Sequence, residues 1–373
     1  MAVEHWTAQV PLGLEDEVAA EIRALGGGVG KTTTEPGLVR FQGPADAGYR
    51  ANLSLRGANR ILKTLSESEA MSFHALRVGA SQLPWEDYLP KGCALRFSVS
   101  SVGCKLYHTG AVADALREGL ELRGLRFSED PAAPGLSIDA RGTRDWWTLS
   151  VDTSGHGLTR RGYRKQTAKA PLRETLAAAV LRLAGYAGGR PLVDPMCGSG
   201  TFVIEAGLVA TARASGLDRN FAFEAFPSFD SARWTELQAT ARSAVREDEL
   251  PPLEGADRRG GAVRASRANA QRAGLGGVCR FFDRSLADLP ADAGTGLMVL
   301  NPPYGHRTTI PESESGAVWA SWGATLRTRR PAWEIALVSP DAELAKAFGA
   351  SGRPKARFNN GGIPVALWIL PAT

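Results

Sequence analysis

The sequence is poor in the residues from which metal centres and disulfide frameworks are built. Its 373 residues include four cysteines and five histidines, and no two cysteines stand in C-x-x-C spacing. This scatter argues against a zinc or iron–sulfur site and against disulfides, and the absence of an H-E-x-x-H motif argues against metal-assisted hydrolysis. We therefore expect reduced thiols and no metal.

The sequence also lacks a membrane or export signal. Its first residues, MAVEHWTAQVPLGLEDE, contain no basic region followed by an apolar one, and no run approaches the ~18 apolar residues of a membrane helix. With 43% hydrophobic and 22% charged residues, the composition is that of a globular protein, and the length suggests two or three domains. We expect a cytoplasmic protein that binds no membrane.

Positive charge is modest in total but concentrated in one segment. A formal net charge of +5 and a pI near 9.1 permit a polyanionic partner without requiring one. Between Asp152 and Glu174 the chain has no acidic residue and one aromatic, Tyr163. The segment is either a solvated linker or a phosphate-binding stretch beside a stackable ring. Its basic residues are Arg160, Arg161, Arg164, Lys165, Lys169 and Arg173.

Hydrophobic periodicity divides the chain into two halves with different patterns of predicted strands and helices. In the first half, strand-like HWTAQV, GLVRFQG, ALRFSVSSV and DWWTLSVDTSG alternate with amphipathic helices, which predicts a ferredoxin-like α+β arrangement. After the basic segment, short apolar strands such as RPLVDPM and GLMVLNPPYG alternate with helices of ten or more residues. This second pattern predicts a doubly wound α/β domain with a mainly parallel sheet, which binds ligands at the carboxyl ends of its strands.

The stretch LVDPMCGSGTFVIEA predicts a glycine-rich turn between a strand that ends at Asp194 and a helix. A phosphate loop would need a lysine after Gly200, where Thr201 stands, and a dinucleotide fingerprint would need a third glycine where Val203 stands. An aspartate at the strand end repels a pyrophosphate but attracts an ammonium group, which favours S-adenosylmethionine. A tight connection without a ligand is the alternative.

Two later strand ends add polar groups at the same predicted edge. Asp257 ends the next strand, where an acidic residue can hold ribose hydroxyls or, alternatively, cap the following helix. Asn301 is followed by two prolines and Tyr304, so the turn is rigid and presents the Asn301 amide and the Pro302 carbonyl as acceptors. Such acceptors can hold a planar amino group in line with a methyl donor.

These residues resemble the class I S-adenosylmethionine-dependent methyltransferases of Rossmann-like fold. Within them, the chain is similar to THUMP-domain RNA guanine-N2 methyltransferases, and most similar to those acting on bacterial 23S rRNA. The resemblance covers almost the whole chain. It rests on KLYHTGAVADALREGL, YRANLSLRGANRIL and PWEDYLP in the first half, and on YRKQTAKAPLRETLAAAVL, DPMCGSGTFVIEA, GLDRNFAFEAFPSFD, NPPYG and FNNGGIPVALWIL in the second.

The resemblance implies three domains and a role for each matched residue. Residues 1–60 would form a ferredoxin-like domain, 61–158 an RNA-binding THUMP domain, and 159–373 a seven-stranded methyltransferase domain. Asn301, Pro302 and Tyr304 would bind the guanine, and Lys105 together with the basic residues from Arg160 to Lys169 would bind RNA. The residues implied for the cofactor, S-adenosylmethionine, are Leu172, Thr175, Asp194, Pro195, Cys197, Gly198, Ser199, Gly200, Thr201, Asp257, Ser285 and Asn301.

The sequence leaves several functions open. Ser285 stands where the family usually has an acidic residue near the adenine, and Asp283 or Asp288 are alternatives. RNA is expected as the partner, without DNA, and a monomer is expected, with 23S rRNA as the substrate and tRNA as the alternative. Methylation of a DNA adenine or a protein glutamine is disfavoured by the THUMP-like half, and a non-catalytic RNA-binding assembly factor is disfavoured by the intact DPMCGSGT and NPPYG.

Overall fold

The computed structural model describes residues 3–130, 135–165, 172–304 and 310–373. The described chain forms two seven-stranded sheets, one in each half. Each of the strands and helices named from the sequence patterns above has a counterpart in the structure. The predicted fold class, a Rossmann-like α/β half preceded by a ferredoxin-like α+β half, is confirmed.

The first sheet is mixed and has the order β2-β3-β1-β4-β7-β6-β5. Buried and less buried residues alternate along β6, which is typical of a strand with one face packed against a core. Helix α1 carries three acids in its first turn and Arg23 in its last, which suits the helix dipole. The strands are β1 (Glu4–Gln9), β2 (Thr32–Glu35), β3 (Leu38–Gly43), β4 (Arg60–Glu69), β5 (Ala94–Val102), β6 (Gly135–Thr143) and β7 (Trp146–Asp152). The helices are α1 (Glu15–Ala24), α2 (Ala47–Ser54), α3 (Phe73–Ser81) and α4 (Thr109–Leu122).

The second sheet has the order β10-β9-β8-β11-β12-β14-β13, with its first five strands parallel. All five residues of β11 are buried, as expected for a central strand covered on both faces. Strand β14 runs antiparallel between β12 and β13. The strands are β8 (Leu192–Asp194), β9 (Leu253–Asp257), β10 (Cys279–Asp283), β11 (Gly296–Leu300), β12 (Trp333–Ser339), β13 (Ala356–Asn360) and β14 (Ile363–Leu370). The helices are α5 (Glu174–Leu183), α6 (Thr201–Ala210), α7 (Ser231–Ser243), α8 (Gly260–Arg272), α9 (Glu312–Arg329) and α10 (Ala342–Phe348).

The segment that follows α6 packs against the first half rather than the second. Phe223 and Trp234 belong to the hydrophobic core of the first sheet, and the Tyr49 ring stacks on Phe223 with centroids 4.5 Å apart. The Phe223 amide also donates to the Thr153 carbonyl at 3.1 Å. The two halves are therefore joined by buried apolar contacts, not by a linker alone.

The predicted boundary at residue 60 falls at the start of β4. This strand pairs with β1 on one side and β7 on the other, so the strands of the first two predicted domains share one sheet. The division of residues 1–158 into two domains remains a prediction.

No helix in the described ranges is long and apolar enough to span a bilayer.

Candidate active site

A crevice is expected at the carboxyl ends of β8 and β11. The strand order reverses between these two strands, and an open α/β sheet binds its ligand at such a reversal. Leu192 pairs with Leu297 and Val193 with Met298 in parallel register. Asp194 directly follows the second pair, and Asn301 stands three residues beyond it, just after the end of β11. Both residues therefore lie on the same edge of the sheet. The structure brings together the two turns that the sequence predicted as partners.

The turn after β8 is held by backbone hydrogen bonds and by two glycines with positive φ. The Cys197 amide donates to the Ala256 carbonyl at 2.8 Å, and the Gly200 amide to the Cys197 carbonyl at 2.8 Å. At Gly200, where φ is +84°, a Cβ would lie 2.9 Å from the Phe281 ring. At Gly198 a Cβ would meet nothing within 4 Å. The turn is thus closely packed behind Gly200 and open beside Gly198, as ligand binding requires.

The Asp194 carboxyl is buried at the end of β8, with 2% exposure. Burial raises its pKa to about 8; the hydrogen bond from the Met196 amide opposes this, and the nearby Asp257 carboxylate adds to it. Burial and the same two carboxylates raise the pKa of the Cys197 thiol well above its ordinary value. Because a cation would relieve this unfavourable charge, the site suits an ammonium group.

The second acidic residue bridges β9 and the glycine-rich turn. Asp257 Oδ2 accepts the Gly198 amide at 3.0 Å, and Oδ1 lies 3.2 Å from Nε of the exposed Arg259. The other predicted turn residues are buried: Pro195, Ser199 and Thr201. Ser199 Oγ has no hydrogen-bond partner among the described residues. After the end of β10, the Ser285 hydroxyl donates to Asp288 Oδ2 at 2.6 Å. The Ser285 proton is therefore already used in a hydrogen bond within the protein.

The turn after β11 offers an acceptor that none of the described residues uses. Asn301 Oδ1 is buried and accepts no hydrogen bond from any described residue. Pro302 is buried beside it. Tyr304 is 4% exposed, and its hydroxyl accepts a hydrogen bond from Asn360 Nδ2 at 2.9 Å. Asn360 therefore fixes the Tyr304 ring. The sequence alone does not predict this contact, because the two residues are 56 positions apart.

The start of α5 joins the site to the first half of the chain. Leu172 is 4% exposed and Thr175 fully buried. The Thr175 hydroxyl donates to Asn59 Oδ1 at 3.1 Å. Thr175 thus contacts the residue before β4, a contact between distant parts of the chain that the sequence alone did not indicate.

The basic segment is divided between buried and exposed side chains. The Arg161 guanidinium donates to the Leu158 and Arg56 carbonyls, and its Nε lies 3.5 Å from the fully buried Glu205 carboxylate. Arg164 is mostly buried and pairs with Glu174. The structure thus places these two guanidinium groups in internal ion pairs, with Arg161 buried and Arg164 partly buried.

The remaining predicted RNA contacts stay on the surface or lie outside the described residues. Arg160, Lys165 and Lys105 are exposed, whereas Lys169 lies outside the described residues. Lys105 sits among exposed aromatic rings, with Tyr107 79% and Trp146 60% exposed. Cations beside stackable rings are typical of surfaces that bind single-stranded nucleic acid.

In the described part of the chain, no three His, Cys, Asp or Glu residues are grouped as a metal site would need.

Two family profiles match the chain. Residues 161–368 match the profile described as RMKL-like, methyltransferase domain. Residues 6–62 match the RlmL ferredoxin-like domain. Together they cover the described active-site turns and most of the first three strands.

Curated relatives match along nearly the whole chain. A ribosomal RNA large subunit methyltransferase K/L from Syntrophotalea carbinolica is 37% identical over 96% of this chain and 52% of its own length. A putative RNA methyltransferase from Synechocystis is 34% identical over 96% of this chain and 94% of its own. The chain spans about half the length of the K/L methyltransferases it matches.

Solved structures share the architecture. A putative methyltransferase, SMU.472, in complex with SAH, has a TM-score of 0.89 and 29% identity, with 100% of this chain and 99% of that one covered. TrmN from Thermus thermophilus has a TM-score of 0.75 at 21% identity, with both chains fully covered, and shows the shared fold.

Proposed function

Because the chain belongs to the family with the RMKL-like methyltransferase domain, we propose that it transfers a methyl group from S-adenosylmethionine to N2 of a guanosine in 23S ribosomal RNA. The observation that carries the proposal is the pairing of two features at one crevice. One is a glycine-rich turn between two carboxyl groups. The other is Asn301 Oδ1 on the adjacent strand end, which accepts no hydrogen bond from the residues that the structure describes.

The residues of the crevice fit S-adenosylmethionine. The buried Asp194 carboxyl favours a cation such as the ammonium of the methionine moiety. Asp257, at the end of the next strand, is placed to hold the ribose hydroxyls. Gly198 leaves open space between them. When bound, S-adenosylmethionine supplies a methyl group activated by a positively charged sulfur.

Asn301 and Pro302 orient the acceptor in this proposal. The guanine amino nitrogen is a weak nucleophile because its lone pair is delocalised into the ring. Asn301 Oδ1 and the Pro302 carbonyl accept its two hydrogens and align the lone pair with the methyl carbon. The nitrogen–carbon bond forms as the sulfur–carbon bond breaks, and the amino group then loses one proton to water. Tyr304, held by Asn360, stacks on the base.

The first half of the chain is the proposed RNA platform. Lys105, Tyr107 and Trp146 lie exposed at one end of its sheet. Relatives that are 32–37% identical are named ribosomal RNA large subunit methyltransferases, which favours 23S rRNA over tRNA as the substrate. A THUMP domain at residues 61–158 and a methyltransferase domain from residue 159 belong to the same proposal.

The test is transfer of an isotope-labelled methyl group to unmodified transcripts of 23S rRNA and of tRNA, followed by nucleoside mass spectrometry. We expect labelled N2-methylguanosine from 23S rRNA with the native protein. Asn301→Ala should abolish transfer while S-adenosylhomocysteine affinity changes by less than about threefold, since Asn301 acts on the acceptor. Label on tRNA alone would move the substrate assignment, and label on another base or a fully active Asn301→Ala would refute the proposal.

A further inference from the structure

A cleft of about 210 Å³ opens between the two halves of the protein. Three parts of the chain form its walls: the loop after β1, the N-terminal end of α5 with the residue before β4, and the turn between β13 and β14. The lining residues are Pro11, Leu12, Asn59, Arg173, Leu176, Asn359, Gly361 and Gly362.

The cleft lies beside the candidate active site. Strand β13 runs parallel to β12, so its turn at 361–362 stands at the same edge of the sheet as Asn301. Asn360, one residue before that turn, holds the Tyr304 hydroxyl. On the other wall, Arg173 sits between Leu172 and Thr175, the two proposed cofactor neighbours. A strand of RNA that leaves the crevice toward the platform therefore meets this cleft first.

Fixed contacts hold the walls of the cleft. Gly13 has a φ of +89°, and a Cβ there would lie 2.0 Å from the Arg357 carbonyl oxygen, so the platform loop presses directly on β13. On the floor, Asn59 Oδ1 accepts the Thr175 hydroxyl at 3.1 Å. Because the loop after β1 and Asn59 both contact the second half of the chain, the cleft is preformed.

The lining is suited to an anion. Arg173 is exposed, and within the described residues its guanidinium has neither an ion pair nor a hydrogen bond. None of the eight lining residues is acidic. Asn359 Oδ1 accepts the Gly362 amide at 2.7 Å. Both glycines have positive φ, and a Cβ on either would meet nothing within 4 Å, so bare backbone faces the opening.

We propose that this cleft binds an RNA phosphodiester beside the target guanosine, with Arg173 as its cation. The proposal rests on RNA being the substrate. Arg173 can contact a phosphate without first breaking an ion pair to a described residue. A guanidinium is a common phosphate ligand, and such contacts set the register of a nucleic acid without reading its sequence. The cleft thereby orients the flanking backbone so that the base enters the crevice.

The test removes the cation on one wall and, separately, introduces a negative or a positive charge on the opposite wall. Arg173→Ala removes the cation, and Arg280→Ala, at an exposed position on β10, is the matched control. Leu12, which is 60% exposed, is changed to Glu and to Lys, two variants of similar length and opposite charge. Binding of unmodified 23S rRNA transcript is measured between 50 and 200 mM KCl with S-adenosylhomocysteine present.

Arg173→Ala should weaken RNA binding about fivefold and lower the slope of log affinity against log salt by ~0.7, the value for one phosphate on a single strand. It should raise KM for RNA and leave kcat and S-adenosylhomocysteine affinity within about twofold. Leu12→Glu should weaken binding and Leu12→Lys should not. Inorganic phosphate at constant ionic strength should leave RNA binding unchanged.

The proposal is overturned if Arg173→Ala behaves like Arg280→Ala, or if both Leu12 variants weaken binding equally. A loss of S-adenosylhomocysteine affinity with unchanged RNA binding would assign the cleft to the cofactor, and displacement of RNA by phosphate would assign it to a free anion. Methyl transfer by the native protein separates the two proposals. If guanosine is methylated but Arg173 has no effect, only the cleft assignment fails; if Arg173 affects RNA binding but no guanosine is methylated, the proposed function fails.

Discussion

The buried Asp194 carboxyl predicts that cofactor binding depends on pH. With a pKa of about 8 in the ligand-free protein, only about one molecule in ten carries the Asp194 charge at pH 7. An ammonium group placed against it favours the carboxylate, so binding must release the proton. Raising the pH therefore strengthens binding until the carboxyl is already ionised, and lowering the pH weakens it.

The size of the effect follows from linkage. If the bound-state pKa lies below about 5, affinity for S-adenosylhomocysteine falls about fiftyfold between pH 8 and pH 6, and binding at pH 7 releases about 0.9 proton. Calorimetry in buffers of different ionisation enthalpy measures both quantities. Asp194→Asn, which keeps the shape but cannot ionise, should bind more weakly at pH 8 and with no such pH dependence.

Two results would refute this reasoning. One is an affinity of the native protein that is flat from pH 6 to pH 8 with no proton exchanged. The other is a pH dependence that Asp194→Asn retains, because the titrating group would then lie elsewhere. Arg259→Ala is a useful control, since its exposed guanidinium pairs with Asp257 and does not contact Asp194.

Three further substitutions test other parts of the site. Gly200→Ala should cost ~1–3 kcal/mol of unfolding free energy in urea, because φ is +84° and the new methyl meets the Phe281 ring; an unchanged midpoint would contradict this packing. Arg161→Met should cost about 3–5 kcal/mol by leaving the Glu205 carboxylate buried without its ion pair, and a stable variant with weakened RNA binding would instead restore Arg161 as an RNA contact. Tyr304→Leu should lower kcat/KM by roughly 5- to 150-fold if the ring stacks on the base. Tyr304→Phe keeps the ring but loses the hydrogen bond from Asn360, so it should keep most of the activity; equal losses would argue against stacking.

The second half of the chain was largely predictable because its signals are local. Apolar strands that alternate with helices specify a parallel sheet, and the edge at which ligands bind follows from the sheet itself. Asp194 and Asn301 could therefore be assigned to one edge from residues within each turn. The tight packing behind Gly200 could not, since it depends on the Phe281 ring, about eighty residues later.

Contacts between distant segments were not predictable in the same way. A run of arginines has the same sequence pattern whether its side chains face solvent or pair with buried acids. The acid that pairs with Arg161 is Glu205, in the middle of the apolar helix α6. The same holds for Asn360, which anchors Tyr304 from the far edge of the sheet. The segment around Phe223 lies in the second half of the sequence yet completes the core of the first.

The central claim is that the turn at 194–201 and the turn at 301–304 line one pocket. A crystal structure with S-adenosylhomocysteine tests it most directly. We predict that the ligand's ammonium lies against Asp194, its ribose against Asp257, and its sulfur facing Asn301. A ligand bound in another part of the molecule, or one that contacts the first turn with its sulfur directed away from Asn301, would contradict the account.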